Sequence, residues 1–356
     1  MSQTALIINK PGEQLAAITR PIPVPSGQEV LIKNHAVGCT EVNPHDRKIR
    51  DLGAIVPLEF FPYITGNDVA GVVHAVGDEV TNVKVGDRVF TQAASTSHDT
   101  SGLQEYTITS AAFLGKIPES LTFEEAATLP VCVPSVVTAM FHSSGLGLPL
   151  FDNVAKFDYP SKTILILGGG SNCGKAAIQL ARLVGFGKIV TVASKTPEKA
   201  AKLKQLGATI VIDRHSTSLQ GDIQTAVGSD LTFAVETVSQ GENAHTLGVS
   251  VLSNNIKGTL ATITHGTVDE SAIGEKRAGY EKRFTVGSSH KYPDFSQKVW
   301  SQLPEWIESG QIAPFSFRTI NGLDAAAVNA AIDEYGVKGE VIKAVIIPQK
   351  LSTRDD

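Results

Sequence analysis

The chain is poor in cysteine. Its 356 residues hold three, Cys39, Cys132 and Cys173, and their spacing fits neither a disulfide framework nor a paired metal motif. A stapled extracellular scaffold is thereby excluded. With no secretory leader at the N-terminus, the expectation is a reducing compartment, the cytoplasm. Hydrophobic residues make up 42%, yet no uninterrupted apolar run reaches membrane-spanning length. No basic patch offers a footprint for nucleic acid, and the formal charge is −5. Repeats, low-complexity tracts and like-charge blocks are also missing. What remains is a globular chain long enough for two domains.

The most informative stretch runs from Thr163 to Lys195. Thr163–Leu167 is a short apolar run bounded by glycine, as suits a strand buried on both faces. Gly168-Gly169-Gly170-Ser171-Asn172-Cys173-Gly174 follows. Ala177, Leu180, Ala181 and Val184 then repeat at helical spacing, and Lys188–Ala193 reads as a second strand. Strand, glycine turn, helix and strand form one βαβ unit of a doubly wound parallel sheet, the Rossmann arrangement. Glycines there allow a tight turn and a close approach of pyrophosphate to the helix N-terminus. The better register is Gly169-x-Ser171-x-x-Gly174, with serine where the middle glycine is usual.

The end of the second strand selects the nucleotide. A site for NAD places Asp or Glu about 20 residues past the glycines, to accept from the ribose 2′-hydroxyl. Ser194 and Lys195 stand there instead. A hydroxyl and an ammonium suit a 2′-phosphate, so the expected cofactor is NADPH, with Lys195 as a solvated lysine the alternative.

The doubly wound pattern continues with candidate strands at 209–213, 231–236, 259–264 and 284–288. A helix is expected over 197–206, capped by Thr196, opened by Pro197 and stopped by Gly207. The opening of the chain is β-rich, with strands at 4–8 and 29–33 separated by Pro21, Pro23 and Pro25. Gly66, Gly71, Gly77 and Gly86 punctuate short β-branched runs, as in a small, strongly curved, barrel-like β domain.

Those runs carry a resemblance. Gly66-x-Asp68-x-Ala70-Gly71-Val72-Val73, Val76-Gly77, Val85-Gly86-Asp87-Arg88-Val89, Leu129-Pro130, the glycine turn and Lys338-Gly339-Glu340-Val341-Ile342-Lys343 follow one another along the chain. Together they resemble the medium-chain dehydrogenase/reductases. The resemblance implies an α/β chain with a Rossmann cofactor domain, 131–310, inserted in a β-rich catalytic domain made of 1–130 and 311–356. The C-terminal segment agrees, with strand-like runs around a short helix at 323–334.

Many members of that family hold a catalytic zinc. Aligned through Asp46, the cysteine ligand falls at Asn43, and Cys39 lies four residues early; the histidine ligand falls at Asn67. Asparagine is a poor zinc ligand, and three cysteines cannot supply a four-thiolate structural site. The expectation is therefore no metal, with His35, His45 and His98 left unassigned.

Without a Lewis acid, hydride transfer needs an acceptor that is already electrophilic: an enoyl thioester, an enone or a quinone. Asn43-Pro44-x-Asp46-x-Lys48 looks like the signature of zinc-free quinone oxidoreductases and enoyl reductases. With Phe61-Pro62-Tyr63 and Gly66–Gly71 it looks most like the trans-acting enoyl reductases that serve a polyketide synthase. Arg47 departs from the aromatic residue usual there. Lys48, for the substrate carbonyl or the carrier's pantetheine end, Tyr63, as proton donor, and Thr138, beside the nicotinamide, are the catalytic candidates. Their alternatives are a surface lysine, a core aromatic and a helix hydroxyl bonded to its own backbone. Cofactor-binding candidates are Gly169, Gly170, Ser171, Asn172, Cys173, Gly174, Ser194, Lys195, Asn43 and His265. A quinone or enone reductase acting on free small molecules, and an NADPH-binding protein without catalysis, stay open as alternatives, as do monomer and homodimer.

Overall fold

A computed structural model describes residues 1–39, 45–54, 56–94, 97–238, 241–334 and 342–349. The chain begins with β1 (Ser2–Ile7), β2 (Ala16–Pro21), β3 (Glu29–Cys39), α1 (His45–Leu52), β4 (Asp68–Val76), β5 (Arg88–Gln92), β6 (Tyr106–Ser110), β7 (Leu114–Lys116) and α2 (Phe123–Ala126). It continues with α3 (Cys132–Phe141), β8 (Thr163–Leu167), α4 (Asn172–Val184), β9 (Lys188–Ala193), α5 (Pro197–Leu206), β10 (Ile210–Asp213), α6 (Leu219–Val227), β11 (Phe233–Glu236), α7 (Thr246–Ser250), β12 (Gly258–Thr262) and β13 (Tyr280–Phe284). It closes with α8 (Pro293–Glu308), β14 (Phe317–Asn321), α9 (Ala325–Glu334) and β15 (Lys343–Ile347). Among the described residues no helix is long and apolar enough to cross a membrane.

Two compact units result: Met1–Val131 with Ser288–Asp356, and Cys132–Gly287. The first is built on a seven-stranded mixed sheet, ordered β14-β15-β3-β4-β5-β7 with β6 also on β3, beside the β1–β2 pair. β3 is its spine, an almost fully buried strand. Register shifts at Leu31/Ile32 and Asn34/Ala36 bulge the β3–β4 ladder, which bends the sheet and gives the expected curvature. Ile8, Val37, Ile49, Leu103, Val328 and Ile346 pack into one core beneath it.

The return to this unit comes at Ser288, earlier than the expected 311, and the reason is α8. Trp300 is buried on that helix, donates from Nε1 to Ser289 Oγ at 2.9 Å, and meets Phe90 of β5 edge-on, centroids 5.6 Å apart. Ser289 N in turn donates to Gln92 Oε1 at 2.8 Å. An amphipathic helix looks the same in sequence whichever core it covers.

The second unit is a six-stranded parallel sheet in the order β10-β9-β8-β11-β12-β13. Strand order reverses between β8 and β11, the switch point where such sheets bind ligands. α5 begins and ends as expected: Thr196 accepts from Lys199 N at 3.3 Å, and Gly207 takes a φ of +126°. The strand expected at 284–288 is displaced. β13 is Tyr280–Phe284, a polar run beside β12 whose residues are half-buried or exposed. As an edge strand it needs no continuous apolar character, so β-propensity pointed past it.

Candidate active site

In the Cys132–Gly287 unit the glycines have separate jobs. Gly168 turns the chain with a φ of +88°. A Cβ on Gly169 would stand 1.9 Å from Thr191 Oγ1, and one on Gly174 would stand 2.1 Å from the Gly168 carbonyl. Gly170 would meet only Ala193 Cβ, at 3.8 Å, so its outer side is open. Ser171 caps α4: its Oγ accepts from Gly174 N at 3.0 Å and donates to Gly168 O at 2.8 Å. Thr237, just past β11, lies 3.1 Å from the same Oγ and donates from Oγ1 to Leu167 O at 3.0 Å. No acidic residue occupies the first turn of α4. The turn thus presents a rigid, positive helix end with an open glycine face, which fits a pyrophosphate.

Two expected cofactor contacts point elsewhere. Cys173 is buried, its Sγ 3.8 Å from Cys132 O on α3, so it packs helices together and has no side chain to offer a nucleotide. Asn172 is fully buried as well, and its Oδ1 accepts from Lys175 Nζ at 3.0 Å.

At the carboxyl end of β9, Ser194 is half-buried and Lys195 exposed. The neighbouring strand β10 adds a cation that sequence reasoning missed. Arg214 N donates to Ala193 O at 2.9 Å, which sets this exposed arginine beside the Ser194 position. An arginine directly after the strand expected at 209–213 was the available signal. His265 is exposed and packs at a tilt against Phe284, centroids 4.2 Å apart.

In the unit built from Met1–Val131 and Ser288–Asp356, Asn43 and Pro44 lie outside the described residues, as do Lys338–Val341. Asp46, the first-turn acid of α1, is buried. Thr65 Oγ1 donates to its carboxylate, and Gly66 N does so at 3.2 Å. Burial, followed by the adjacent Asp46, pushes the Cys39 thiol well above its ordinary range. Burial also draws the His45 imidazole down, against the pull of Asp46 and Asp68. Asn67 donates from Nδ2 to Ala93 O at 3.3 Å. The side-chain amide of Asn67 is a poor zinc ligand. Among the described residues no three His, Cys, Asp or Glu side chains group as metal ligands.

Lys48 is half-buried on α1, and burial holds its ammonium below its ordinary value. Its neighbours are structural: Arg47 pairs with Asp51 at 3.2 Å, and Arg50, almost fully buried, bonds Asp51 and Asp333. Tyr63 is buried and bridges Ile8 by reciprocal backbone hydrogen bonds of 2.8 Å. It also lines a cavity of about 230 Å³ with Phe60, Ser97 and His98. Thr138 lies in the other unit, where its buried hydroxyl donates to Pro134 O at 2.8 Å, one turn back on α3.

Sequence reasoning also missed a buried ion pair. Lys343 Nζ, on β15, stands 2.8 Å from Asp68 Oδ2, on β4, and donates to Thr128 O at 3.2 Å. Asp68 Oδ1 accepts from Val131 N at 2.7 Å.

The order and geometry of these parts agree with what other proteins show. Residues 26–132 match the family described as Alcohol dehydrogenase GroES-like domain, and 173–308 the one described as Zinc-binding dehydrogenase. The chain belongs to the medium-chain dehydrogenase/reductases, which bind a nicotinamide cofactor. It is 37% identical to a dehydrogenase of Monascus ruber over 62% of this chain and 60% of that one. A trans-enoyl reductase of Penicillium oxalicum is 31% identical over 68% of this chain and 65% of its own length. In both alignments the chain spans less than two thirds of the relative. The enoyl reductase component of the lovastatin nonaketide synthase of Aspergillus terreus aligns more fully, at 27% identity over 90% of this chain and 89% of that protein. The solved CurK enoyl reductase covers 98% of this chain and 99% of its own with a TM-score of 0.75 at 20% identity, a likeness of fold.

Proposed function

We propose that this protein uses NADPH to reduce an activated carbon–carbon double bond, on an acyl chain that a partner polyketide synthase presents as a thioester. One observation carries the coenzyme reading: Ser194 and Lys195 directly follow β9, with Arg214 bonded alongside through Ala193, where an NAD site needs a carboxylate. The enoyl substrate and synthase partner are supported by relatives named as trans-enoyl reductases and as the lovastatin synthase component. Asn67 in place of a histidine, and a Cys39 thiol engaged with Asp46, favour chemistry that runs without zinc.

The nicotinamide, when bound, supplies the hydride. The α4 N-terminus, with Gly169, Gly170 and Ser171, holds the pyrophosphate. Ser194, Lys195 and Arg214 hold the 2′-phosphate through hydrogen bonds and charge. Lys48 holds the substrate carbonyl oxygen. Because the ammonium is partly withdrawn from water, it interacts more strongly with negative charge that develops on that oxygen.

The test follows NADPH absorbance with a crotonyl thioester of pantetheine, then with a simple quinone. Faster turnover of the pantetheine thioester supports the reading. Preference for the quinone overturns it in favour of a reductase of free small molecules. Binding of NADPH without turnover of either, in the presence of a carrier-bound substrate as well, overturns it in favour of a nucleotide-binding protein.

A further inference from the structure

Glu236 ends β11 at 5% exposure, and His245, 1% exposed, precedes α7. Their side chains meet at 2.8 Å, Nδ1 to Oε2. This hydrogen bond holds the ring in one orientation. The opposite edge of the ring reaches the loop after β12. A methyl group on Gly266 would stand 2.6 Å from His245 Nε2 and 2.8 Å from Cδ2. Gly266 is not among the glycines with positive φ, so it is the imidazole, not the backbone conformation, that requires glycine there. His245 Nε2 has no hydrogen-bond partner among the described residues, which leaves the contact with Gly266 as packing.

The same two loops are sewn together. His245 N donates to Thr267 O at 3.1 Å, Asn243 N to Thr267 Oγ1 at 3.0 Å, and Asp269 N to Thr246 Oγ1 at 2.9 Å. From β13, Lys282 Nζ donates to Gly266 O at 2.6 Å. This assembly sits at the carboxyl ends of β11 and β12, on the edge of the sheet where ligands bind.

We infer that His245, oriented by Glu236, is a positioning residue for the coenzyme: its ring sets the height of the Thr264–Gly266 loop. The inference deepens the NADPH reading and rests on it. The side chain is almost fully buried and acts through the loop it supports, so its signature is coenzyme affinity rather than turnover.

A double-mutant cycle on the full chain tests it, with the dissociation constant of NADPH read by nicotinamide fluorescence. Gly266→Ala is expected to weaken binding about tenfold, with kcat at saturating NADPH within about twofold of the parent. His245→Asn keeps a hydrogen-bonding group for Glu236 but deletes the ring edge facing Gly266. In that background Gly266→Ala is expected to cost less than about twofold, because the methyl then has room. An equal penalty in both backgrounds, with normal NADPH binding by the parent protein, overturns the inference and leaves the coenzyme reading standing. No NADPH binding by the parent overturns the coenzyme reading itself. If His245→Asn does not fold, His245→Ala runs the same cycle with the same outcomes.

Discussion

Lys343→Met removes one charge from the interior and strands the other. The two side chains are 1% and 4% exposed, and they meet at 2.8 Å. In the variant, Asp68 keeps its hydrogen bond from Val131 N but loses its counter-charge, and Thr128 O loses a donor. Breaking one partner of a buried pair costs about 3–5 kcal/mol. The loss depends on pH. Burial holds the Asp68 carboxyl above its ordinary value, and Lys343 draws it partly back; without the ammonium it rises further. A carboxyl whose folded pKa exceeds its unfolded value of about 3.9 makes the folded state bind more protons, so stability falls as pH climbs from there through the folded pKa. Each further unit of rise is worth about 1.4 kcal/mol once pH exceeds it. The variant therefore loses more at pH 8 than at pH 5. Urea unfolding followed by tryptophan fluorescence measures this on the right unit, because both tryptophans, Trp300 and Trp306, lie in α8. Adding Asp68→Asn to Lys343→Met is expected to recover most of the loss. A penalty under about 1 kcal/mol, or one flat across pH, would refute the reasoning.

Other expectations are simpler. Lys195→Asp places a carboxylate where a 2′-phosphate is expected, so the ratio of kcat/KM for NADPH over NADH is expected to fall at least about tenfold; an unchanged ratio removes Lys195 from the phosphate site. Gly174→Ala puts a methyl 2.1 Å from the Gly168 carbonyl, and coenzyme binding in a fluorescence titration is expected to drop by about two orders of magnitude as helix and turn part. Tyr63→Phe is expected to leave kcat within about twofold, since the ring packs in the core. A loss of 100-fold or more, in the range of general-acid catalysis, would restore the phenol as proton donor.

What was legible in the sequence was local. The Thr196–Gly207 helix and the Gly169–Gly174 turn announce themselves because caps and turns are decided by adjacent residues. β13 was not legible, since an edge strand reading Tyr-Glu-Lys-Arg-Phe has only weak apolar alternation. The partnership of Asp68 with Lys343 spans 275 positions, and no periodicity reports a contact of that range. His245 was overlooked for a related reason: its importance comes from what it touches, Glu236 behind and Gly266 in front, rather than from any spacing. Lys48 was found by resemblance; its partial burial is what the fold adds.

The placement of β15 bears on how the chain matures during synthesis. It lies between β14 and β3, antiparallel to the latter at Val37–Cys39; β6 covers the same flank of β3 only along Glu29–Lys33, so the Val37–Cys39 stretch stays unpaired until β15 has been made. The inserted unit is contiguous and can close on itself as it emerges. The other unit must instead wait with that short stretch of strand edge uncovered, a state open to intermolecular pairing. Truncation before Lys343 is therefore expected to send the nascent protein toward aggregation.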